Sequence, residues 1–355
     1  MTQVKTLDFS GQVIYCGIDM HKKNWSVSLR LADRELKTFS QDPDPVALAR
    51  LLKKHYPNAR FELGYEAGFC GFWAQKQFAA QGLNCMVIHP ADIPQPNRDR
   101  RYKTDVIDSR RIAFELSKGG LNCVHIPSEE TLQTRAIVRG REQLIKDQTR
   151  YKNRIISFLD FFGIPIPAGY KKCTHFSRRF IQWLQDLPLS KDHKIALDTK
   201  INVLQGIRQQ LLQINRRYRL MATGEPYANR IALLRSIPGI GINSALVILT
   251  EIEDIRRFKR FDSLASLAGF KPDVYSSADR SLIKGITYHC NHLLRETLVE
   301  CAWMAIGKDP ALTQAYLSYK SRMHYNKAII RIAKKLLNRI RYVMLNEKKY
   351  QLGIV

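Results

Sequence analysis

Asp19, Glu66, Asp105 and Asp108 stand in local contexts that suit a metal-dependent nuclease. Asp19 closes the apolar run Val-Ile-Tyr-Cys-Gly-Ile at 13–18, which reads as a buried strand, and Glu66 closes a second such run at 61–65. Asp105 and Asp108 lie three apart in a helical pattern, so both fall on one face. Two strand-end acids facing a helical acid pair make a pocket of hard oxygen ligands. Mg²⁺ or Mn²⁺ prefers such ligands, and two ions held this way clamp the attacking and leaving oxygens of a phosphodiester. Arg98, Arg100, Arg101, Lys103, Arg110 and Arg111 surround the helical pair. Cations around acids fit a site that admits phosphates while holding metal. At this level two plainer readings stay open: a strand-end Asp as a turn former or helix cap, and the pair as part of an ion-paired surface helix.

The rest of the chain makes clustered carboxylates unusual. Its 355 residues carry 57 Lys and Arg against 32 acids, a net charge of +25, which points to a polyanionic partner, nucleic acid before an anionic membrane. With 45% hydrophobic residues there is material for two or three domains. No apolar run approaches the roughly 20 residues that span a bilayer, and the N-terminus lacks the basic-then-apolar pattern of a secretion signal. The seven cysteines are scattered, with no Cys-x-x-Cys pair, as in a reduced cytoplasmic protein.

The elements that must position these residues form an α/β part followed by an all-α part. Within 1–127, strands are predicted at 13–18, 25–31, 61–65 and 85–88, with helices at 45–55 and 71–82, giving a mixed sheet. Within 128–225, Ser128 opens a long helix reaching 162, a Gly/Pro-rich break follows, and a second long helix runs from about Asp192 to Met221. Such a pair reads as a helical hairpin or coiled coil, an assembly element, or as a plain bundle. In 226–355, Ser236 to Glu251 has the pattern of a helix-hairpin-helix, in which Gly239 and Gly241 let backbone N–H groups approach a DNA phosphate. The basic stretch from Lys320 to Lys349 has an apolar stripe, with Arg331, Lys335 and Arg339 largely away from it, a face that either lies along a phosphate backbone or is simply solvated.

A second chemistry-bearing segment runs from Asp273 to Gly285 and reads as a loop after the Pro272 break. It holds Ser276, Ser277 and Ser281 beside Arg280 and Lys284. A serine attacks phosphorus only if its proton is removed and the phosphate charge is neutralised. From composition alone, a serine-rich segment is most simply a loop.

Four stretches carry a resemblance: Tyr-Cys-Gly-Ile-Asp19-Met-His-Lys, Leu-Gly-Tyr-Glu66-Ala, Lys-Thr-Asp105-Val-Ile-Asp108-Ser-Arg-Arg-Ile-Ala, and Ser-Ile-Pro-Gly-Ile-Gly. In this order they resemble the DEDD transposases of bridge-RNA-guided insertion sequences (the insertion sequence 110 family), relatives of the pilin-gene DNA invertases. The resemblance implies a RuvC-like, ribonuclease H type N-terminal domain whose DEDD acids are Asp19, Glu66, Asp105 and Asp108. It also implies a C-terminal transposase domain with a serine nucleophile after Gly-x-x-Pro-x-x-Tyr. Here Gly269-Phe-Lys-Pro-Asp-Val-Tyr275 matches and puts Ser277 at that position, with Ser276 its neighbour and Ala278 where glycine is usual. A further departure is Glu66-Ala-Gly-Phe-Cys-Gly, where relatives tend to read Glu-Ala-Thr-Gly.

The function so implied is site-specific recombination of an insertion sequence through a phosphoserine, assisted by Mg²⁺ or Mn²⁺. The implied partners are donor and target double-stranded DNA, a structured guide RNA, and further copies of the chain as a dimer or tetramer in which the two domains meet across protomers. The setting is a bacterial cytoplasm, with association to the nucleoid during action. Two rivals use the same residues differently: a junction-resolving nuclease with water as nucleophile, and a non-catalytic nucleic-acid-binding protein.

Overall fold

The computed structural model describes residues 8–94, 104–170, 176–277, 280–287 and 290–352, with backbone alone for 272–286. It divides into two compact units, Met1–Ile126 and Pro127–Val355.

The first unit runs β1 Val13–Met20, β2 Trp25–Arg30, β3 Glu35–Gln41, α1 Pro45–His55, β4 Arg60–Glu66, α2 Trp73–Ala80, β5 Asn84–Ile88 and α3 Asp105–Lys118. Its five-stranded sheet has the order β3-β2-β1-β4-β5. The β3-β2-β1 part is antiparallel and β1-β4-β5 is parallel. The predicted strands and α1 are present. The strand missing from the sequence reading is β3, whose alternating exposed residues on a sheet edge leave little apolar signal.

Strand alternation gives β1 two different faces. Ile14, Cys16, Ile18 and Met20 are buried in one core with Leu48 and Leu52 of α1 and Phe78 of α2. Gly17 lies on the other face, paired in register with Gly64 of β4, and α3 packs there. A Cβ on Gly17 would run into the Ser109 carbonyl oxygen and the Ala113 nitrogen of α3. One on Gly64 would stand 2.9 Å from side-chain carbons of Ile88 and Leu116. On β2, Ser26 and Ser28 bond the buried Ser109 hydroxyl at 3.1 and 2.9 Å. Small residues thus let α3 sit close on the sheet, and that closeness sets where its acids lie. Gly17→Ala is therefore expected to push α3 outward and destabilise the fold by about 1–3 kcal/mol, as overpacking does, measured by denaturant unfolding.

The second unit is mainly helical: α4 Glu129–Phe161, α5 Arg178–Gln185, α6 Lys191–Thr223, α7 Ala228–Arg235, α8 Ile242–Ile252, α9 Phe261–Leu267, the strands β6 Pro272–Ser277 and β7 Arg280–Ile286, then α10 His292–Ala305, α11 Pro310–Lys320 and α12 Tyr325–Asn346. Ser128 caps α4, accepting from the Thr131 N–H at 3.2 Å. The 33-residue helices α4 and α6 pack on each other. At one end Ile155, Phe158 and Leu159 share a core with Leu197 and Ile201, closed by Phe180 and Leu184 of α5, a helix the sequence reading did not anticipate. At the other end Val138 and Tyr218 join the main core of α7 to α12. The segment 273–285, read from sequence as a loop, is instead an antiparallel hairpin that pairs Val274 with Ile283, Tyr275 with Leu282 and Ser277 with Arg280. Its serines and charges masked strand-forming Val274, Tyr275, Leu282 and Ile283.

The start of α10, just after this hairpin, is tied to α4 through a buried carboxylate. Arg139 makes two 2.8 Å bonds to Glu251, whose side chain is 1% exposed. Asn291 donates to the same carboxylate at 2.6 Å while its oxygen caps α10, accepting from the Leu294 N–H at 3.0 Å. Burial alone raises the Glu251 carboxyl, but Arg139, Asn291 and Arg135 outweigh it and hold it below its usual range. Its stabilisation is accordingly present above the ordinary glutamate range and is lost as pH falls through the lowered folded value. Glu251→Ala is expected to cost about 3–5 kcal/mol by leaving its cations without their buried partner, read from urea unfolding at neutral pH, with the deficit shrinking in acid.

Candidate active site

The carboxyl ends of β1 and β4 and the first turn of α3 frame one site in the first unit. The parallel pairing of β1 with β4 runs to Ile18 opposite Tyr65, and Asp19 and Glu66 are the residues that follow them at the two carboxyl ends. Asp19 follows Gly17 onto the α3 side by strand alternation. Thr104 caps α3, accepting from the Ile107 N–H at 3.4 Å, so that Asp105 and Asp108 occupy the first turn, where the helix dipole favours negative charge.

Asp19, Asp105 and His21 converge. His21 Nε2 is 3.2 Å from Asp19 Oδ2 and 3.2 Å from Asp105 Oδ1, and one donor atom from each of the three lies within 4.8 Å of the others. Burial is the main reason the Asp19 carboxyl is raised. His21 works against this, and the charges of Asp105 and Asp108 add to the rise. Asp108 is therefore near enough to be felt by Asp19, and it also pairs with Arg111 at 3.2 Å. Glu66 is exposed at its strand end and lies outside the three-residue group.

His21 was missed by the sequence reading. The signal was present, because two residues beyond Asp19 an extended chain returns to the same side. The donor set suits a divalent cation: Asp19 is burdened by desolvation and by like charges, which a cation among these oxygens would offset.

The flanking cations divide. Arg98, Arg100, Arg101 and Lys103 lie outside the described residues. Arg110 bonds Thr38 at 3.1 Å and pairs with Glu35 of β3 at 3.6 Å, while Arg111 pairs with Asp108, so both already have partners within the fold. In the second unit, Ser277 ends β6 and is paired in the backbone ladder with Arg280, the first residue of β7, which also holds Lys284. Gly239 is left-handed (φ 89°), and its missing Cβ makes room for the α10 backbone at Cys301 and Ala305. Gly241 caps α8 and faces open space. Arg331 and Lys335 are exposed on α12. Arg339 departs from the expectation of a free phosphate contact, because Asp309, fully buried, neutralises it at 2.5 Å.

Two family models cover these two site regions. One, described as a transposase of the DEDD type found with IS110, matches residues 16–164 and so includes all four acids. The other, described as the Transposase IS116/IS110/IS902 family, matches residues 231–318, including the hairpin. The chain belongs to this transposase family. Among the transposases it is similar to, a putative one of Sinorhizobium fredii is 26% identical over 296 residues, 81% of this chain and 71% of the relative. A second from that organism is 28% identical, over 77% of this chain and 74% of the relative. The transposase for insertion sequence element IS1533 of Leptospira borgpetersenii is 25% identical, over 68% and 70%. Transposases catalyse DNA strand transfer, and the DEDD-type domain points to divalent-metal dependence. Among the described residues, no helix is long and apolar enough to cross a membrane.

Proposed function

We propose that this transposase cleaves and rejoins DNA through a phosphoserine at Ser277, with Asp19, Glu66, Asp105 and Asp108 as the metal-binding acids. The observation that carries the reading is the convergence of Asp19 and Asp105, from a strand end and a helix start, within a chain of net charge +25. Mg²⁺ or Mn²⁺, when bound, supplies positive charge against the negative charge that develops on the phosphate.

Ser277 Oγ forms the bond to phosphorus while the bond from phosphorus to one deoxyribose oxygen breaks. The hydroxyl proton leaves to a base or solvent, and the departing strand oxygen takes up a proton. A hydroxyl of the second strand reverses the step and frees Ser277, so the number of phosphoester bonds is unchanged and no ATP is needed. Arg280, whose backbone pairs with Ser277, and Lys284 of the same strand supply positive charge for the phosphate.

Residues 128–225 act as the assembly element of a dimer or tetramer, and 226–355 as the transposase domain. Base pairing with a structured guide RNA selects target and donor duplexes, and the basic surface grips backbones without reading sequence. Trapping reactions on a denaturing gel tests the central claim: a covalent protein–DNA adduct supports it. Cleavage without any adduct favours the junction-resolving nuclease with water as nucleophile, and undiminished function without divalent metal favours a non-catalytic binder.

A further inference from the structure

A groove of about 830 Å³ runs along α12 in the second unit, well apart in sequence from both reacting segments. Its cations are Arg331, Lys334, Lys335, Lys348 and Lys349, with Arg339 already paired to Asp309, and among the described residues no carboxylate lines it. Of the acids near it, Asp309 is held by Arg339 at 2.5 Å and Tyr350 at 2.6 Å and Glu347 by Arg256 at 2.9 Å, while the exposed Asp262, next to Phe261, is outside the lining. Surfaces that serve only solubility intersperse the two signs. Among the described residues, the charged side chains that line this groove are all basic.

Its rings set it apart from a plain phosphate-gripping face. The Arg331 guanidinium lies 5.6 Å from the Tyr319 ring centre and the Lys334 ammonium 5.9 Å from that of Phe261. Tyr342 is 62% exposed. Arg331, Lys335, Asn338 and Tyr342 follow at helical spacings of four, three and four, so they share one face. From the first to the last is about 16 Å, enough for several bases at the roughly 3.4 Å rise of a DNA strand. The far wall is fixed as well, since Tyr350, next to Lys348 and Lys349, bonds Asp309 and gives its N–H to Ser236 Oγ at 2.8 Å.

We propose that this groove holds an unpaired stretch of DNA, with a base stacked on the exposed Tyr342 and phosphates on Arg331, Lys334, Lys335, Lys348 and Lys349. A duplex hides its base faces and would use the cations but not the rings, whereas stacking on an aromatic side chain needs an unpaired base. The volume lies within the roughly 300–1,000 Å³ range of small-ligand sites, room for a few unpaired bases. The choice of DNA as the source rests on the transposase reading. The groove chemistry does not.

The test uses the full chain without divalent metal and a mixed-sequence single-stranded DNA carrying 5-iodouracil. Photocrosslinks are expected in the peptide containing Tyr342. Tyr342→Ala should weaken single-strand binding about 5- to 100-fold, leave duplex binding within about twofold, and keep the salt dependence, while Tyr342→Phe retains binding. Lys335→Gln should lower the slope of log affinity against log salt by about 0.7. Crosslinks confined to other surfaces, or equal losses for single strand and duplex in Tyr342→Ala, overturn the groove. Tenfold tighter binding of RNA of the same sequence overturns the DNA assignment. No strand transfer is measured, so failure of the Ser277 reading leaves this result standing, and the reverse also holds.

Discussion

Asp105→Asn is expected to abolish strand transfer, with a loss of at least about 10³-fold at saturating Mg²⁺, while the protein unfolds at an unchanged temperature. Asparagine keeps the shape of the side chain and removes its charge. Because the Asp105 side chain is 53% exposed and outside the hydrophobic cores, the fold loses little. Losing one charged ligand weakens the hold on a divalent ion, and the charge that the ion would place on the phosphate is worth several kcal/mol in the transition state. The substitution also removes one of the like charges that raise Asp19, so the Asp19 carboxyl should titrate lower than in the parent. In the parent, strand transfer should fall as pH drops through the raised Asp19 range, because a protonated carboxyl no longer holds a cation. Strand-transfer assays across Mg²⁺ concentration and pH, with thermal unfolding as the control, read all of this. Full activity in Asp105→Asn would remove the acid cluster from the mechanism.

Ser277→Ala is expected to eliminate the covalent protein–DNA adduct and strand transfer together, again by about 10³-fold or more, because alanine has no oxygen to form the phosphoester. Metal binding at the acids should be unchanged. This combination separates the two roles: Asp105→Asn alters metal affinity as well as activity, and Ser277→Ala alters activity alone. Ser276 is the internal comparison. Since Ser276 and Ser277 are consecutive on β6, opposite Ser281 and Arg280 of β7, Ser276→Ala should keep the adduct. If Ser276→Ala loses it and Ser277→Ala does not, the nucleophile moves by one residue. If Ser277→Ala still cuts DNA and neither serine is ever linked to it, the reaction uses water.

Much of the local structure was legible because it follows from short-range rules. Ser128 as a cap, Pro45 as the first residue of α1, and the apolar runs ending at Asp19 and Glu66 each depend on neighbours within one turn or one strand. The edge strand β3 and the hairpin at 272–286 were not legible in the same way. Their residues look polar one at a time and become strands only through a partner strand.

The sequence by itself determined a basic chain, four acids at strand ends and at a helix start, and a serine-rich segment after Pro272. Tertiary structure alone decided which of these meet. It brought His21 in beside Asp19 and Asp105, set α3 close on Gly17, Ser26 and Ser28, and took Arg339 out of the exposed cations by pairing it with Asp309. Spacing along the chain specifies a face of a helix or strand. Which other face it meets depends on packing over long sequence separations, where close approach and the cost of burying a charge choose the partner.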